Sequence, residues 1–279
     1  MRKVPAEKLT EAIRDLAMTA NYDLPEDVMQ ALEKAREKEV SPVGLEILDQ
    51  ILENAKIAAT DRVPICQDTG FAAIFLEIGK EVCIEGDVVE AVNEGVRQGY
   101  QEGYLRKSIV SDPLRRTNTG DNTPAAITVE FVDGDKVTVT IAPKGGGSEN
   151  MSEARLFAPA AGRDGVIDFV VDRVARSGSN PCPPVVVGVG IGGTFDLCAR
   201  LAKKSLLRDI GSRHPDPFYA EMEEEILTKV NKLGIGPMGL GGRTTALDVH
   251  IEVHPCHIAS LPVAVNMQCH AARHKSAVI

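Results

Sequence analysis

The chain has 279 residues, a hydrophobic content of 43%, a charged content of 25% and a formal net charge of -9. This composition is ordinary for a globular protein with a sizeable core. The acidic charge, an aromatic content of 4% and the absence of tryptophan argue against a nucleic-acid partner, because such a surface needs basic side chains or stacking platforms. No apolar run reaches the roughly 18 residues of a membrane helix, so we expect no membrane partner either.

The N-terminal residues contain no apolar stretch of signal-peptide length, and we therefore expect a cytoplasmic protein. Thiols stay reduced in that compartment. The six cysteines are accordingly expected to be metal ligands, catalytic groups or small core residues, and not disulfide partners.

Helical spacing dominates the first sixty residues. Apolar side chains recur at helical intervals over residues 9–16, 28–35 and 43–55, and Ser41-Pro42 is a typical start for the third helix. The pattern breaks after residue 63, and residues 72–78 predict a buried strand before a further helix over 87–100.

A β-hairpin is predicted next. Apolar residues alternate over 127–131 and again over 137–141, and Asp133-Gly134 between them suits a tight turn. Helices are then predicted over 162–176, 195–210 and 218–233, with strands over 184–188 and 246–253. We therefore predict an α+β fold, in which a helical N-terminal region is followed by a mixed sheet with surrounding helices. Residues 1–279 are expected to form a single compact domain.

Three cysteines lie in turn-rich segments, namely Cys66, Cys182 and Cys269. By contrast, Cys83 and Cys198 fall in regular strand and helix patterns and are expected to be core residues. No Cys-x-x-Cys pair is present, which argues against a zinc ribbon. Three distant thiolates are compatible with an iron–sulfur cluster that leaves one iron without a protein ligand, although each cysteine taken alone could equally be an inert buried thiol.

A glycine run follows the strand predicted over 184–188. Gly188, Gly190 and Gly193 match the Gly-x-Gly-x-x-Gly fingerprint of dinucleotide-binding folds, and Asp209 lies near the distance of a ribose contact. However, Asp209 falls in a helix pattern, and no series of strand–helix units follows. We interpret the run as a substrate-facing or anion-binding turn, and a nicotinamide site remains the lesser alternative.

Two segments offer anion-binding groups. Lys144 precedes Gly145, Gly146 and Gly147, whose backbone N–H groups can approach a carboxylate or an oxyanion closely. Arg106 supplies a guanidinium for a substrate carboxylate. Both segments could also be solvated surface, since glycines favour flexible loops and charged residues often end helices.

Five of the six histidines lie in the last thirty residues, together with Cys256 and Cys269. This crowding suggests a metal site or a catalytic site near the end of the chain. Within it, His257 is the better catalytic candidate, because it stands in a proline-led turn beside Cys256. A non-catalytic zinc-binding scaffold built from these groups is an alternative.

Several longer motifs occur together in the chain: Ile65-Cys-Gln-Asp-Thr-Gly70, Arg116-Thr-Asn-Thr-Gly120, Pro143-Lys-Gly-Gly-Gly-Ser-Glu-Asn-Met151, Asn180-Pro-Cys-Pro-Pro184 and His254-Pro-Cys-His-Ile-Ala-Ser-Leu-Pro. In this order they resemble the iron–sulfur-dependent class I fumarate hydratases and the related L(+)-tartrate dehydratases. The resemblance covers essentially the whole chain.

The resemblance implies a [4Fe–4S] cluster held by Cys66, Cys182 and Cys269, whose open iron binds a 2-hydroxy dicarboxylate. It also implies a pocket lined by Gln67, Asp68, Arg106, the Gly145–Gly147 turn and His257, with Asp68 taking part in proton transfer. The implied reaction is the reversible hydration of fumarate to L-malate, and dehydration of L(+)-tartrate is the alternative.

Single-chain members of that family continue into a second domain that completes the active site, whereas this sequence ends ten residues after Cys269. The resemblance is therefore to the α subunit of the two-subunit form. It implies a separate β subunit as partner and a dimer of αβ pairs.

Overall fold

The computed structural model describes all of residues 1–279. The chain divides into two units, each assembled from stretches that are separate in sequence. Unit 1 contains Met1–Pro25, Asn54–Gly146 and Arg273–Ile279, and unit 2 contains Glu26–Glu53 and Gly147–Ala272. The α+β class is confirmed by the helices and mixed sheets. The extent of one domain over residues 1–279 stays a prediction.

Three helices occupy the first sixty residues, as their apolar spacing predicts. They are α1 (Glu7–Tyr22), α2 (Glu26–Lys38) and α3 (Pro42–Asp61). The hydroxyl of Ser41 accepts a hydrogen bond from the N–H of Gly44 at 3.2 Å, which satisfies a free donor at the start of α3.

The later helices and the strands follow in chain order. The helices are α4 (Val88–Glu102), α5 (Gly146–Glu149), α6 (Gly162–Ser177), α7 (Phe195–Ser205) and α8 (Pro217–Asn231). The strands are β1 (Arg2–Pro5), β2 (Phe71–Gly79), β3 (Val82–Glu85), β4 (Ala126–Val132), β5 (Val137–Lys144), β6 (Glu153–Phe157), β7 (Val185–Gly192), β8 (Ala246–His254), β9 (Leu261–Gln268) and β10 (Lys275–Val278). Helix α7 ends five residues before its predicted end.

Unit 1 contains a four-stranded sheet in the order β10-β5-β2-β4, and β1 pairs separately with β3. The predicted hairpin is wrong, although both of its strands exist. Strand β2 lies between them, parallel to β4 and antiparallel to β5. Strand β2 is apolar, and most of its side chains are buried. A central position, with a paired strand on each side, buries such a strand better than a position at the edge of the sheet. A core that includes Leu9, Ile74 and Tyr100 fills this unit.

Unit 2 contains a second four-stranded sheet, in the order β6-β9-β7-β8. Strand β7 runs parallel to β8 and antiparallel to β9. Helices α6 and α8 contribute to the core beside this sheet, with Ile167 and Ile226 fully buried.

The glycine run of unit 2 has a packing role. Gly188 and Gly190 lie inside β7, and a Cβ atom at either position would come within 2.1 Å of a backbone oxygen of α7. Their missing side chains let α7 pack directly against the strand. The interpretation of this run as a binding turn is therefore wrong for Gly188 and Gly190, since their faces are covered by the helix.

Cys198 is buried as predicted, but Cys83 is exposed, because the short strand β3 pairs only with β1.

None of the helices combines the length and the apolar content required to cross a bilayer.

Candidate active site

The segment from Cys66 to Gly70, here called the Cys66 loop, leads into β2 in unit 1. The backbone N–H of Asp68 donates to Sγ of Cys66 at 3.4 Å, and the N–H of Gly70 donates to Oδ1 of Asp68 at 3.0 Å. The loop therefore presents a half-buried sulfur and a carboxylate from a fixed backbone.

Buried donors hold this loop through three consecutive carbonyl groups. The guanidinium of Arg273 donates to the carbonyl oxygen of Asp68. The single hydroxyl proton of Tyr100 is shared between the carbonyl oxygens of Thr69 and Gly70, each 2.9 Å from the hydroxyl oxygen. Burial raises the pKa of Tyr100, so this hydroxyl remains a donor. Buried hydrogen bonds to backbone carbonyls restrict the loop to one conformation.

Asn122 completes the support of the loop, since its Nδ2 donates to the carbonyl oxygen of Gly70 at 3.2 Å. Asn122 itself has a φ of 64°. Its turn is stabilised by Asp121, whose Oδ1 accepts from the N–H of Thr123 at 3.0 Å and from the hydroxyl at 2.8 Å. These hydrogen bonds lower the pKa of Asp121 to about 2, although its partial burial opposes the shift as the largest single contribution.

The end of β5 lies directly against the Cys66 loop. Gly70 has a φ of +81°, and a Cβ atom there would lie 2.6 Å from the backbone nitrogen of Lys144. Lys144 ends β5, where its pairing partner is Phe71, and its side chain is buried. The loop thus requires glycine at position 70 and brings Lys144 next to it.

The carboxylate of Asp68 also reaches the glycine segment. Its Oδ2 accepts a hydrogen bond from the N–H of Gly146 at 2.8 Å. Gly146 begins the single turn α5, so the glycine segment is partly helical. Arg106 is exposed, and its carbonyl oxygen accepts from the hydroxyl of Thr69 at 3.1 Å.

Unit 1 therefore brings together seven of the predicted site residues. They are Cys66, Gln67, Asp68, Arg106, Lys144, Gly145 and Gly146.

Unit 2 holds two of the three predicted ligands at one end of its strands. Cys182 stands three residues before β7, and Cys269 directly follows β9. The backbone N–H of His270 donates to the carbonyl oxygen of Cys182 at 3.2 Å, and Nδ1 of the same residue lies 3.1 Å from that oxygen. A φ of 56° at Cys182 places it in a sharp turn.

Gly147 lies close to the segment that precedes Cys182 in unit 2. A Cβ atom at Gly147 would lie 3.4 Å from the carbonyl oxygen of Asn180, two residues before Cys182.

His257 lies at the opposite end of these strands. It belongs to the connection between β8 and β9, which runs from residue 255 to residue 260 and is here called the His257 turn. Because β9 has eight residues at about 3.3 Å per residue, roughly 25 Å separate its two ends. The crowding of histidines and cysteines in the sequence is thus not one cluster in space. No three His, Cys, Asp or Glu side chains lie close enough to bind a single metal ion.

The His257 turn is exposed and held mainly by its own backbone. Nδ1 of His257 accepts from the N–H of Ala259 at 3.1 Å, and the carbonyl oxygen accepts from the N–H of Ser260 at 2.9 Å. This leaves Nε2 available. The next residue, Ile258, is 92% exposed. Together with Leu156 and Phe195, which are also exposed, the turn forms an apolar surface.

The chemistry of the three predicted ligands, all thiols, suits an iron–sulfur cluster. Cys66, Cys182 and Cys269 are each half-buried, and no disulfide involves them. Half-buried sulfurs on glycine- or proline-shaped turns can bind a group that enters from outside. Of the remaining three cysteines, Cys83 and Cys256 are exposed and Cys198 is fully buried.

The sequence patterns missed the residues that hold the Cys66 loop. Tyr100 was predicted only as the end of a helix, and Arg273 was not singled out. Tyr100 lies in the fourth helix and Arg273 lies beyond the last cysteine, so their meeting with the loop depends on long-range folding.

Comparison with known proteins agrees with the motifs. The family model described as fumarate hydratase (fumerase) matches residues 10–278. A Methanocaldococcus jannaschii chain, named provisionally L(+)-tartrate dehydratase subunit alpha, is 46% identical over 274 residues, which are 95% of each chain. L(+)-tartrate dehydratase subunit alpha of Escherichia coli strain UTI89 is 34% identical over 95% of this chain and 89% of its own length.

A chain with such matches over nearly its whole length is a hydro-lyase. It belongs to the fumarate hydratase (fumerase) family. The resemblance seen in the motifs is thereby confirmed.

Proposed function

We propose that this chain is the α subunit of a [4Fe–4S]-dependent hydro-lyase that acts on a four-carbon 2-hydroxy dicarboxylate. The observation that carries the proposal is the Cys66 loop, where a cysteine, a carboxylate and backbone donors are fixed together. In this proposal Cys66, Cys182 and Cys269 hold the cluster. When bound, the cluster supplies an iron with a free coordination position, which acts as a Lewis acid toward the substrate hydroxyl.

The residues of unit 1 supply the remaining chemistry in this proposal. The carboxylate of Asp68, oriented by the N–H groups of Gly70 and Gly146, holds or transfers a proton at its oxygens. Removal of the proton beside a carboxylate develops negative charge on that carboxylate. Lys144, Arg106 and backbone N–H groups of the glycine segment stabilise that charge, and Gln67 binds the substrate beside them.

Two substrates remain in the proposal. Hydration of fumarate to L-malate is the reaction expected from the motifs. The names of the relatives that are 46% and 34% identical support L(+)-tartrate at least as well. Initial rates with L-malate and L(+)-tartrate, measured on the same anaerobic preparation, decide between them.

A β subunit and a second copy of the αβ pair belong to the same proposal. The α-subunit names of the relatives support the β partner. The position of His257 supports the second copy, because the whole length of β9 separates it from Cys182 and Cys269. If His257 serves a centre held by these cysteines, it has to reach the centre of another chain. A cytoplasmic location is retained as well, supported by six cysteines that form no disulfide.

Anaerobic reconstitution with iron and sulfide tests the cluster. Wild-type chain, with its β partner, is expected to gain a broad visible absorption, bound iron, bound sulfide and hydro-lyase activity. Serine at position 66, 182 or 269 should each lower the iron and sulfide content. Cys83→Ser and Cys256→Ser are the matched controls and should retain it.

Other results would contradict the proposal. Full cluster content in Cys66→Ser would remove Cys66 from the ligand set. Zinc without iron or sulfide in anaerobically purified protein would favour the zinc scaffold, and binding of NADH in a fluorescence titration would favour a nicotinamide enzyme.

A further inference from the structure

Arg273 is a buried cation to which the proposed reaction assigns no role. Its side chain is only 3% exposed. The guanidinium donates from Nη2 to the carbonyl oxygen of Asp68, while Nε and Nη1 are buried without a hydrogen-bond partner. The carbonyl oxygen carries no net charge, so the positive charge of Arg273 is not neutralised by its hydrogen bond.

Such an arrangement is unfavourable in the chain alone. An arginine is always charged, and burial of a charge without an ion-pair partner is unfavourable. The carboxylate of Asp68 accepts from the N–H groups of Gly70 and Gly146 and forms no ion pair with Arg273. Other arginines of unit 1 avoid this cost, since Arg97 contacts the carboxylates of Glu94 and Asp121. The unpaired charge of Arg273 is therefore a feature that an anion bound nearby would stabilise.

The position of the charge indicates which anion this is. Arg273 contacts the carbonyl of Asp68, and the N–H of the same residue donates to Sγ of Cys66 at 3.4 Å. One residue thus links the guanidinium to the sulfur of a proposed cluster ligand. Because Nε and Nη1 have no exposed surface, the charge acts through its field and not by direct contact.

We propose that Arg273 is a positioning residue for the iron–sulfur cluster, which fixes the Cys66 loop and stabilises the negative charge of the bound cluster. This inference rests on the proposed function. A cluster with three thiolate ligands is anionic, and it becomes more negative when it takes up one electron from an added reductant. A positive charge a short distance away, in a medium of low dielectric, favours the reduced form. Arg273 therefore raises the reduction potential of the cluster.

The test compares reduction potentials in the complete enzyme with its β subunit. Wild type, Arg273→Gln, Arg273→Lys and Arg14→Gln are reconstituted and titrated anaerobically with dithionite, and the reduced cluster is followed by electron paramagnetic resonance. We expect a more negative midpoint for Arg273→Gln and a midpoint near the wild-type value for Arg273→Lys. Arg14→Gln removes the same charge from α1, where Asp15 already pairs with it at 2.8 Å, and should leave the midpoint unchanged.

A second variant separates charge from support of the loop. Tyr100→Phe removes a buried donor from the Cys66 loop without changing any charge, and its midpoint should stay at the wild-type value. If Arg273→Gln does not fold, Arg273→Met fills the same space without a polar group, and its midpoint should also be more negative.

Equal midpoints in wild type and in the uncharged variants, each with full iron and sulfide content, would overturn the role of Arg273 and leave the proposed function intact. Absence of iron and sulfide from the wild-type enzyme would overturn both.

Discussion

The Cys66 loop and the His257 turn both belong to motifs of the family, yet they are built in opposite ways. Three consecutive carbonyls of the Cys66 loop accept hydrogen bonds from buried side chains. The His257 turn is exposed, and most of its hydrogen bonds join its own residues, with one contact from outside, the N–H of Gly193, to the carbonyl oxygen of Pro255. The first is fixed by the fold of unit 1, whereas the second depends mainly on local bonds.

This difference indicates what each segment does. A loop fixed by long-range contacts can hold reacting groups at constant positions before the substrate arrives, which is an efficient way to stabilise charge. An exposed turn with apolar neighbours such as Ile258 and Phe195 is suited to contact with another chain. Substitutions that disturb the packing of the Cys66 loop should therefore affect folding, whereas substitutions in the His257 turn should affect assembly or activity and leave folding unchanged.

The largest loss of stability is expected for Gly70→Ala. The φ of +81° disfavours any side chain, and the new Cβ would lie 2.6 Å from the backbone nitrogen of Lys144. Left-handed strain costs about 1–2 kcal/mol and overpacking a further 1–3 kcal/mol or so. We expect urea unfolding to show a loss of roughly 2–5 kcal/mol.

Gly120→Ala is the matched control for this substitution. Gly120 has a φ of +84° in the same unit, but no atom lies within 4 Å of its Cβ position. It should lose only the strain contribution of about 1–2 kcal/mol. Equal losses in the two variants would mean that β5 does not confine the Cys66 loop.

The fixed loop also marks the limit of what the sequence predicts. Helices α1, α2 and α3 follow from the spacing of their apolar residues, and β4 and β5 follow from alternation. The pairing of β4 and β5 does not follow from alternation, because β2, about fifty residues upstream of β4, lies between them. Local patterns specify which residues share a face, whereas partners across a sheet depend on competition among all strands.

The candidate site shows the same division. The motifs indicated Cys66, Asp68 and the glycine segment, because cysteines, carboxylates and glycines in turns have recognisable chemistry. Arg273 and Tyr100 carry no such signal, since a tyrosine in a helix and an arginine near the end of a chain are common. Their function depends on burial and on the distant carbonyls that they contact.

A smaller effect, dependent on pH, is expected at Asp121, which supports Asn122 and through it the Cys66 loop. Its carboxyl has a pKa lowered to about 2 from 3.8. A lowered pKa stabilises the fold above the unfolded value, and this stabilisation is lost as the pH falls from about 4 toward 2. The contribution is on the order of 1 kcal/mol after allowance for solvent screening.

Asp121→Asn isolates that contribution, because the amide keeps an oxygen for Thr123 and loses the charge. Urea unfolding at pH 6, 4 and 3 should show wild type more stable than the variant at pH 6. The difference should shrink at pH 3. A difference that is constant over this range would show that the charge of Asp121 does not stabilise its turn.

The smallest effect on stability is expected in the His257 turn. His257→Asn keeps an acceptor near the position of Nδ1 for the N–H of Ala259 and removes Nε2. Exposed substitutions of this kind change stability by about 0.5 kcal/mol or less, so urea unfolding should match wild type. Hydro-lyase activity of the αβ enzyme should nevertheless fall. Because His257 is proposed to act on the centre of another chain, a mixture of His257→Asn enzyme with inactive Cys66→Ser enzyme should regain activity after subunit exchange and exceed the sum of the two separate enzymes. Without regained activity after verified exchange, His257 would not act between chains.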